Sequence, residues 1–317
     1  MAVPTLREAL TDAAVRGAAI GHFNISDFGA LKAIMAAAFE LSERAQRKIP
    51  VLIGVSEGER AFIGVRQAAV LIRNLREQYD YPVYLNADHT HSLDNVRAAA
   101  EAGFDEILFD GSKLPMDENI AETREAVKII RAAGGDIVIE GEIGYIGSDS
   151  EIVAERPAAS LTLSTPDEAV RFVRETGVDV LAPAVGNMHG LLAGMAAGTE
   201  HKRLDIGRIG EIKQALAATG ATAKAGVSDA TAAASAAGSW MTLHGGSGTA
   251  DEDFAAAVKA GMTIVHVSSE LRLAWRRGVE EGLKNPNEIA PYKIVSPAVE
   301  GIKAIVLNRL QLFNGIS

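Results

Sequence analysis

Short apolar runs alternate with longer segments of helical periodicity along most of this 317-residue chain. The short runs predict eight strands, at residues 18–23, 50–55, 82–87, 106–109, 136–140, 178–182, 240–244 and 263–267. Helical spacing predicts helices at residues 31–41, 57–78, 93–102, 119–133, 166–176, 206–218, 252–260 and 270–282. Strands that alternate with helices indicate parallel strands joined by helical crossovers.

Eight strand–helix units in roughly 250 residues are typical of an α/β fold of the TIM-barrel type, (β/α)8, and an open doubly wound sheet is the alternative. No linker-like stretch divides the chain, so we predict a single domain over residues 1–317. The barrel is expected at about residues 5–285. A helical pattern at 295–312 predicts an extra C-terminal helix within an extension of about 286–317.

One segment interrupts the alternation. Residues 217–238 are almost all Ala, Gly, Ser and Thr, and Lys224 and Asp229 are the charged exceptions. Small side chains bury little apolar surface, so a surface excursion or weak helix is one interpretation. A lid or a contact between subunits is the other.

Composition restricts the chemistry. The chain has no Cys, which excludes disulfides, thiolate zinc sites and a cysteine nucleophile, so any metal must bind to His, Asp or Glu. The net charge of −10 argues against a nucleic-acid partner but allows a local site for a small anion. The N-terminal residues carry acids without an apolar signal region, and no apolar run reaches the roughly 18 residues of a membrane span. We therefore expect a cytoplasmic protein without a membrane partner.

Polar residues follow the predicted strands at the end where a parallel barrel places its active site. In chain order these residues are Asn24, Ser56, Asp88 with His89, Asp110, Glu140 with Glu142, His189, His244, and His266 with Ser268 and Ser269. A single His at such a position is usually structural. Because His89, His189 and His244 follow three different strands, they can converge on one divalent ion.

The other histidines have ordinary explanations. His22 lies within the first predicted strand, His91 can cap a helix, and His201 lies in a charged loop. We expect structural roles for these three.

A glycine-rich run follows the seventh predicted strand. Gly245, Gly246 and Gly248 allow backbone N–H groups to approach an anion, and Ser247 adds a hydroxyl. Such runs also form simple turns. Phosphate sites of barrels commonly follow strands seven and eight, and Ser268 and Ser269 precede a predicted helix there, so we favour a phosphate site.

Several of these motifs together resemble the class II, metal-dependent ketose-bisphosphate aldolases, over about residues 5–285. They are Asn86-Ala87-Asp88-His89, Gly103-Phe104, Phe109-Asp110-Gly111-Ser112, Glu118-Asn119-Ile120, Glu140-Gly141-Glu142-Ile143-Gly144, Gly186 to Gly190, Leu243 to Gly248 and Ser269-Glu270-Leu271-Arg272. The most specific parts are Asp-His after the third strand and His-Gly-Gly-Ser-Gly after the seventh.

The resemblance implies retro-aldol cleavage of a phosphorylated ketose to dihydroxyacetone phosphate and an aldehyde, or the reverse condensation. It implies that His89, His189 and His244 hold a divalent ion, usually zinc, that Glu142 and Asp110 offer an alternative or supporting metal site, and that Asp88 is the proton donor. For the dihydroxyacetone-phosphate half it implies a set of binding residues. They are Asn24, Ser56, Gly190, Gly245, Gly246, Ser247, His266, Ser268 and Ser269. A monovalent cation and a homodimer or homotetramer also belong to this expectation.

The chain departs from the family pattern around the substrate. The family has Lys-Ile-Asn or Lys-Val-Asn along the last strand. At these three positions this chain has Ile264-Val265-His266. In the loop after the fifth strand, Asp149 and Glu151 are the candidate proton-transfer acids. These departures leave three alternatives open: an aldolase-like lyase with a less phosphorylated substrate, a non-catalytic barrel that binds metal and sugar phosphate, and a metal-dependent hydrolase.

Overall fold

The computed structural model describes residues 3–147, 152–153, 162–218 and 239–316. Eight parallel strands form a closed barrel, in the order β1, β10, β9, β7, β5, β4, β3, β2 around the sheet. Their bounds are β1 Ile20–Asn24, β2 Val51–Val55, β3 Val83–Thr90, β4 Glu106–Phe109, β5 Val138–Ile143, β7 Val180–Pro183, β9 Trp240–Leu243 and β10 Met262–Val267. Two short strands, β6 (Ile152–Val153) and β8 (Leu191–Leu192), pair with each other outside the barrel. The predicted (β/α)8 architecture is confirmed.

Helices lie between successive strands and at both ends of the chain. Their bounds are α1 Leu6–Arg16, α2 Phe28–Ala45, α3 Glu57–Ile63, α4 Val65–Tyr79, α5 Leu93–Ala102, α6 Met116–Ala133, α7 Pro166–Thr176, α8 Ala193–Ala196, α9 Ile206–Ala218, α10 Asp251–Ala260, α11 Ser269–Gly282, α12 Pro291–Ile294 and α13 Ser296–Asn314. Of the small-residue segment 217–238, only residues 217 and 218 lie within the described residues. No helix in the described part of the chain is long and apolar enough to cross a membrane.

The structure differs from the predicted helices most clearly in two places, and the short helices α8 and α12 were not predicted either. The segment predicted as one helix over 57–78 is two helices, because Gly64 between them has φ 97° and ψ 130°, which is not helical backbone. Helix α1 was not predicted. It begins at a capping box between Thr5 and Glu8 and buries Leu6 and Leu10.

The core has two parts. The larger part lies between the outer face of the barrel and the surrounding helices. The smaller part is at the end of the barrel where the strands begin, where Leu6 and Leu10 of α1 pack with Leu52, Tyr84 and other strand residues that point inward. Helix α1 therefore covers the N-terminal end of the barrel, and the C-terminal end is left for the site.

The C-terminal helix α13 covers the junction between the first and the last strand. Strand β1 pairs with β10, with Ile20 opposite Ile264. Helix α13 packs against α2 and α11 on either side of this junction, and the Ala19 N–H donates to the Phe313 carbonyl at 2.9 Å. The N-terminal βα unit is therefore held by the last residues of the chain.

The contact between α11 and α13 depends on Gly278. A Cβ at this position would lie 2.2 Å from Ala298 Cα, so Gly278→Ala must push the two helices apart. We expect a loss of ~1–3 kcal/mol in the free energy of unfolding, measured by urea denaturation.

The matched control is Gly301→Ala on α13, where the nearest atoms would lie 3.8 and 3.9 Å from the new Cβ. We expect that variant to be unchanged or stabilised by up to ~1 kcal/mol through helix propensity. Equal stability of the two variants would contradict the proposed close contact.

Candidate functional site

A cavity of about 310 Å³, open to solvent, lies at the C-terminal end of the barrel. Most of the residues predicted to form a site line it. They are Asn24, Ser56, Asp88, His89, Asp110, His189, Gly245, Ser247, His266, Ser268 and Ser269. The structure therefore brings together residues from the ends of seven barrel strands.

The end of β3 is held in an unusual backbone conformation. His89 has φ 40°, in the left-handed region that residues other than Gly seldom adopt. The buried guanidinium of Arg60 donates to the carbonyls of Val55 and Asp88, at 2.5 and 3.0 Å, and to Thr90 Oγ1 at 3.0 Å. These bonds connect the β3 turn to the end of β2 and keep the His89 ring directed into the cavity.

Three imidazole rings converge there. The ring centroid of His89 lies 4.8 Å from that of His189 and 5.0 Å from that of His244. One nitrogen from each ring belongs to a group whose members all lie within 4.8 Å of one another. Among the described residues, His189 Nε2 is buried without a hydrogen-bond partner. Burial, together with the nearby imidazoles, holds the pKa of His189 well below its ordinary value, so this ring offers a free lone pair.

Carboxylates contact the other two rings. His89 Nδ1 lies 2.8 Å from Asp110 Oδ2, and His244 lies 3.0 Å from Glu142 through Nδ1 and 2.6 Å from Glu140 through Nε2. Burial alone would lower the pKa of His89, but Asp88 and the bond to Asp110 outweigh it and raise that pKa to about 9. Burial likewise opposes protonation of His244, and its two glutamates raise its pKa. Without a cation in the site, protons therefore occupy these two rings.

A second pair of imidazoles lies deeper in the barrel. The rings of His22 and His266 stack in parallel, with centroids 3.5 Å apart. His22 fits only because position 54 is Gly, where a Cβ would lie 2.1 Å from His22 Cε1. These two residues and Asp88 also form a possible metal-binding group. Since imidazole lone pairs lie in the ring plane, two parallel stacked rings direct them poorly at one ion, and His89, His189 and His244 are the better set.

Asp88 connects the two groups of histidines. Its Oδ1 lies 3.6 Å from His266 Nδ1 and 3.8 Å from His89 Nε2, and its Oδ2 accepts a 2.8 Å hydrogen bond from Asn24 Nδ2. Burial would raise the pKa of Asp88, but His89, His266 and His22 hold it well below the usual value. The side chain is therefore a buried carboxylate between two imidazole clusters.

The glycine-rich run and the start of α11 form another part of the cavity lining. Ser247 Oγ accepts hydrogen bonds from the backbone N–H groups of Ser268 and Glu270, at 3.1 and 3.2 Å. The Gly246 N–H donates to the His266 carbonyl at 3.0 Å, and the Gly248 N–H donates to Glu270 Oε1 at 2.7 Å. Some amides of the run are thus engaged within the protein, while Gly245, Ser247, Ser268 and Ser269 line the cavity.

Three cationic side chains line the cavity but were not predicted as site residues from the sequence. Lys113 lies over the Tyr145 ring at 5.7 Å, Arg272 pairs with Glu59 at 2.7 Å, and Lys202 is buried. Lys202 follows Glu200 and His201 in a segment that has the composition of a solvated loop, so no signal in the sequence distinguished it.

Comparison with known proteins now places this geometry in a family. The family model "Fructose-bisphosphate aldolase class-II" matches residues 4–316. The chain belongs to the class II fructose-bisphosphate aldolase family. The resemblance identified from the motifs is confirmed.

Relatives are similar over the whole chain. The fructose-bisphosphate aldolase of Geobacillus stearothermophilus is 30% identical, over 99% of this chain and 97% of that protein. The Thermus caldophilus enzyme is 32% identical, over 98% and 97%. The solved structure of the YdjI aldolase from Escherichia coli K12 has a TM-score of 0.74 at 24% identity, covering 99% of this chain and 97% of that one, and it supports the fold alone.

Membership makes the chain a carbon–carbon lyase and implies a divalent metal. The donor set fits such an ion: it offers imidazole nitrogens and carboxylates from different strands, and His189 Nε2 is buried without a hydrogen-bond partner among the described residues. Since both nitrogens of His244 contact carboxylates, this ring must give up Glu140 or Glu142 to become a ligand.

The remaining predicted residues fall into two groups. Glu142 and His244 are buried directly behind the lining, as are Gly190, whose carbonyl accepts from Lys202, and Gly246. The candidate acids Asp149 and Glu151 lie outside the described residues.

The pKa of His22 provides a test of its buried position. Burial lowers that pKa from 6.5 to about 4, so the folded state excludes a proton that the unfolded chain binds. The resulting stability is complete above pH 6.5 and is lost as the pH falls to about 4, a change of ~3 kcal/mol. The free energy of unfolding of the metal-free protein can be measured by urea titration between pH 6.5 and pH 4. Over this interval, His22→Gln should lose ~3 kcal/mol less stability than the wild type.

His201→Gln, at an exposed position, is the control and should follow the wild-type curve. If the His22→Gln curve also ran parallel to the wild type, the buried neutral imidazole would be refuted.

Proposed function

We propose that this aldolase cleaves a phosphorylated ketose of the fructose 1,6-bisphosphate type to dihydroxyacetone phosphate and an aldehyde, and catalyses the reverse condensation. The observation that carries the proposal is that His89, His189 and Asp88 line the same cavity as Ser247 and Ser269. A candidate site for a divalent cation and a candidate site for an anion thus open into one cavity. The names of the relatives supply the substrate class.

His89, His189 and His244 would hold the metal, for which zinc is our proposal, with Glu142 and Asp110 as supporting or alternative ligands. A bound divalent ion would polarise the substrate carbonyl and stabilise the negative charge that develops there. The protein's part is to keep the three rings in place before the ion arrives.

Asp88 would move the proton. Its low pKa keeps it a carboxylate, and among the described residues its Oδ1 is buried with no hydrogen-bond partner. In the cleavage direction, this oxygen can take the proton of the substrate hydroxyl as the carbon–carbon bond breaks. In the condensation direction, it returns that proton to the aldehyde oxygen.

The anion half of the substrate would bind where the glycine-rich run meets the start of α11. The Ser247, Ser268 and Ser269 hydroxyl groups lie at the N-terminus of α11, where the helix dipole favours negative charge. Lys202, which also lines the cavity, adds a positive charge. Together with Asn24, Ser56, Gly190, Gly245, Gly246 and His266, these residues are the proposed contacts of the dihydroxyacetone-phosphate half.

A ketose with one phosphate is the second candidate substrate. In the structure the guanidinium of Arg272 is engaged by Glu59, with Arg272 Nη2 2.7 Å from Glu59 Oε1, which limits its use for a second phosphate. Assays with fructose 1,6-bisphosphate and with singly phosphorylated ketoses distinguish the two substrates. The homodimer or homotetramer and the cytoplasmic location remain proposals that rest on the resemblance.

Removal of the metal should abolish cleavage. Chelation should reduce turnover to background and added zinc should restore it, because the proposed chemistry needs the ion. Since the pKa of His89 is raised to about 9 in the metal-free site and the pKa of His244 is also raised, zinc affinity should rise with pH as the competing protons leave both rings. Isothermal titration with zinc at several pH values measures this slope.

His189→Ala should lose stoichiometric zinc, and the exposed-loop variant His201→Ala should retain it. Turnover that survives complete chelation would rule out the metal-dependent mechanism.

Asp88→Asn should keep zinc and lose carbon–carbon cleavage by about 10²–10⁴-fold, since the amide cannot accept the proton. Coupled detection of dihydroxyacetone phosphate and metal analysis of the same sample measure both properties. Asp94→Asn, on the exposed surface of α5, is the control and should be unaffected. An active Asp88→Asn enzyme would assign the proton transfer to another group.

A further inference from the structure

Lys202 is a buried cation beside the proposed site. Its side chain is 2% exposed, and its ammonium donates to three backbone carbonyls, those of Met188 at 2.7 Å, Gly190 at 2.9 Å and Gly245 at 3.0 Å. An ammonium has three N–H donors, and these three carbonyls can accept from all of them.

The three carbonyls belong to the turns that carry two of the proposed metal ligands. Met188 and Gly190 flank His189 on either side, and Gly245 follows His244. A single positive charge therefore ties both histidine turns together. Each bond between a charged donor and a carbonyl is stronger than a neutral hydrogen bond.

The backbone of Lys202 is itself fixed to the glycine-rich run. Its N–H donates to the Gly248 carbonyl at 2.8 Å, and the residue forms a parallel bridge with Thr249. The position of the ammonium is thus set from the same run that supplies Ser247 and Gly245.

Carbonyl oxygens converging on one buried charge are also the coordination that proteins use for a dehydrated monovalent cation such as K⁺. Removing an ammonium from water costs several kcal/mol, so its burial here needs the compensation that the carbonyls provide. Through these three bonds the ammonium acts on the backbone of the two histidine turns.

We propose that Lys202 is a built-in monovalent cation, a positioning residue that occupies a site which would otherwise take K⁺ or NH₄⁺. The inference rests on the proposed aldolase function. The enzyme then has no need of a dissolved monovalent cation, and truncation of Lys202 opens a site for one.

The test compares the wild type with Lys202→Ala, both loaded with zinc, in buffer whose only monovalent cation is choline. In choline, Lys202→Ala should lose about 10²-fold in kcat because the His189 and His244 turns shift. KCl or NH₄Cl should restore at least about tenfold with saturation, and should raise the thermal midpoint of this variant. Choline chloride at equal ionic strength should restore neither.

Two variants serve as controls. Lys202→Met fills the space with an uncharged chain and should lose activity without recovery in K⁺. Lys213→Ala removes a partly buried lysine away from the cavity, which donates to the Ser239 carbonyl at 3.3 Å, and this variant should show no dependence on K⁺.

Each outcome decides the proposal. Saturable activation of the wild type by K⁺ would overturn it, as would Lys202→Ala that is fully active in choline or inactive and unresponsive to K⁺. If Lys202→Ala folds only when K⁺ is present, the proposal is supported, and failure to fold in either salt overturns it. If the wild type cleaves no ketose, the proposed function fails separately, and the thermal midpoint in K⁺ against choline still tests the cation site.

Discussion

Backbone carbonyl oxygens bonded to two buried cations hold the three histidine turns of this barrel. Arg60 binds the carbonyl of Asp88 beside His89, and Lys202 binds the carbonyls that flank His189 and follow His244. Hydrogen bonds from charged donors contribute ~1.5–3 kcal/mol each, which offsets the burial of these cations. The left-handed backbone of His89 is sustained in the same way, since its neighbours on both sides accept from Arg60. The hydrogen bonds within the loops therefore bring the three rings together without the help of a bound ion.

The charge of the site differs from the charge of the molecule. The chain carries a net −10, and it has Ile264 at the position where the family pattern has a lysine on the last strand. Positive charge is nevertheless present at the site, because Lys113, Lys202 and Arg272 all line the cavity. The acids near the imidazoles are in turn balanced by the protons on His89 and His244, which a divalent ion would replace.

Much of the fold and part of the site could be predicted from the sequence because the signals are local. Apolar runs identified each barrel strand, and strand ends identified Asp88, His89, His189 and His244. Other features depend on contacts that no local pattern records. The stacking of His22 on His266 requires Gly54 on a neighbouring strand, and Lys202 meets its carbonyls only after three loops have come together. The helix break at Gly64 depends on a backbone angle that periodicity does not reveal.

The junction between β1 and β10 has a consequence for synthesis of the protein. Ile20 finds its partner Ile264, and Ala19 its acceptor Phe313, only when almost the whole chain has left the ribosome. Until then, one edge of β1 offers unpaired backbone groups and its apolar faces lack their cover. Closure of the barrel is therefore a late folding event with high contact order. A nascent chain of this kind reaches the closed barrel only if aggregation is slower than closure or if chaperones prevent it.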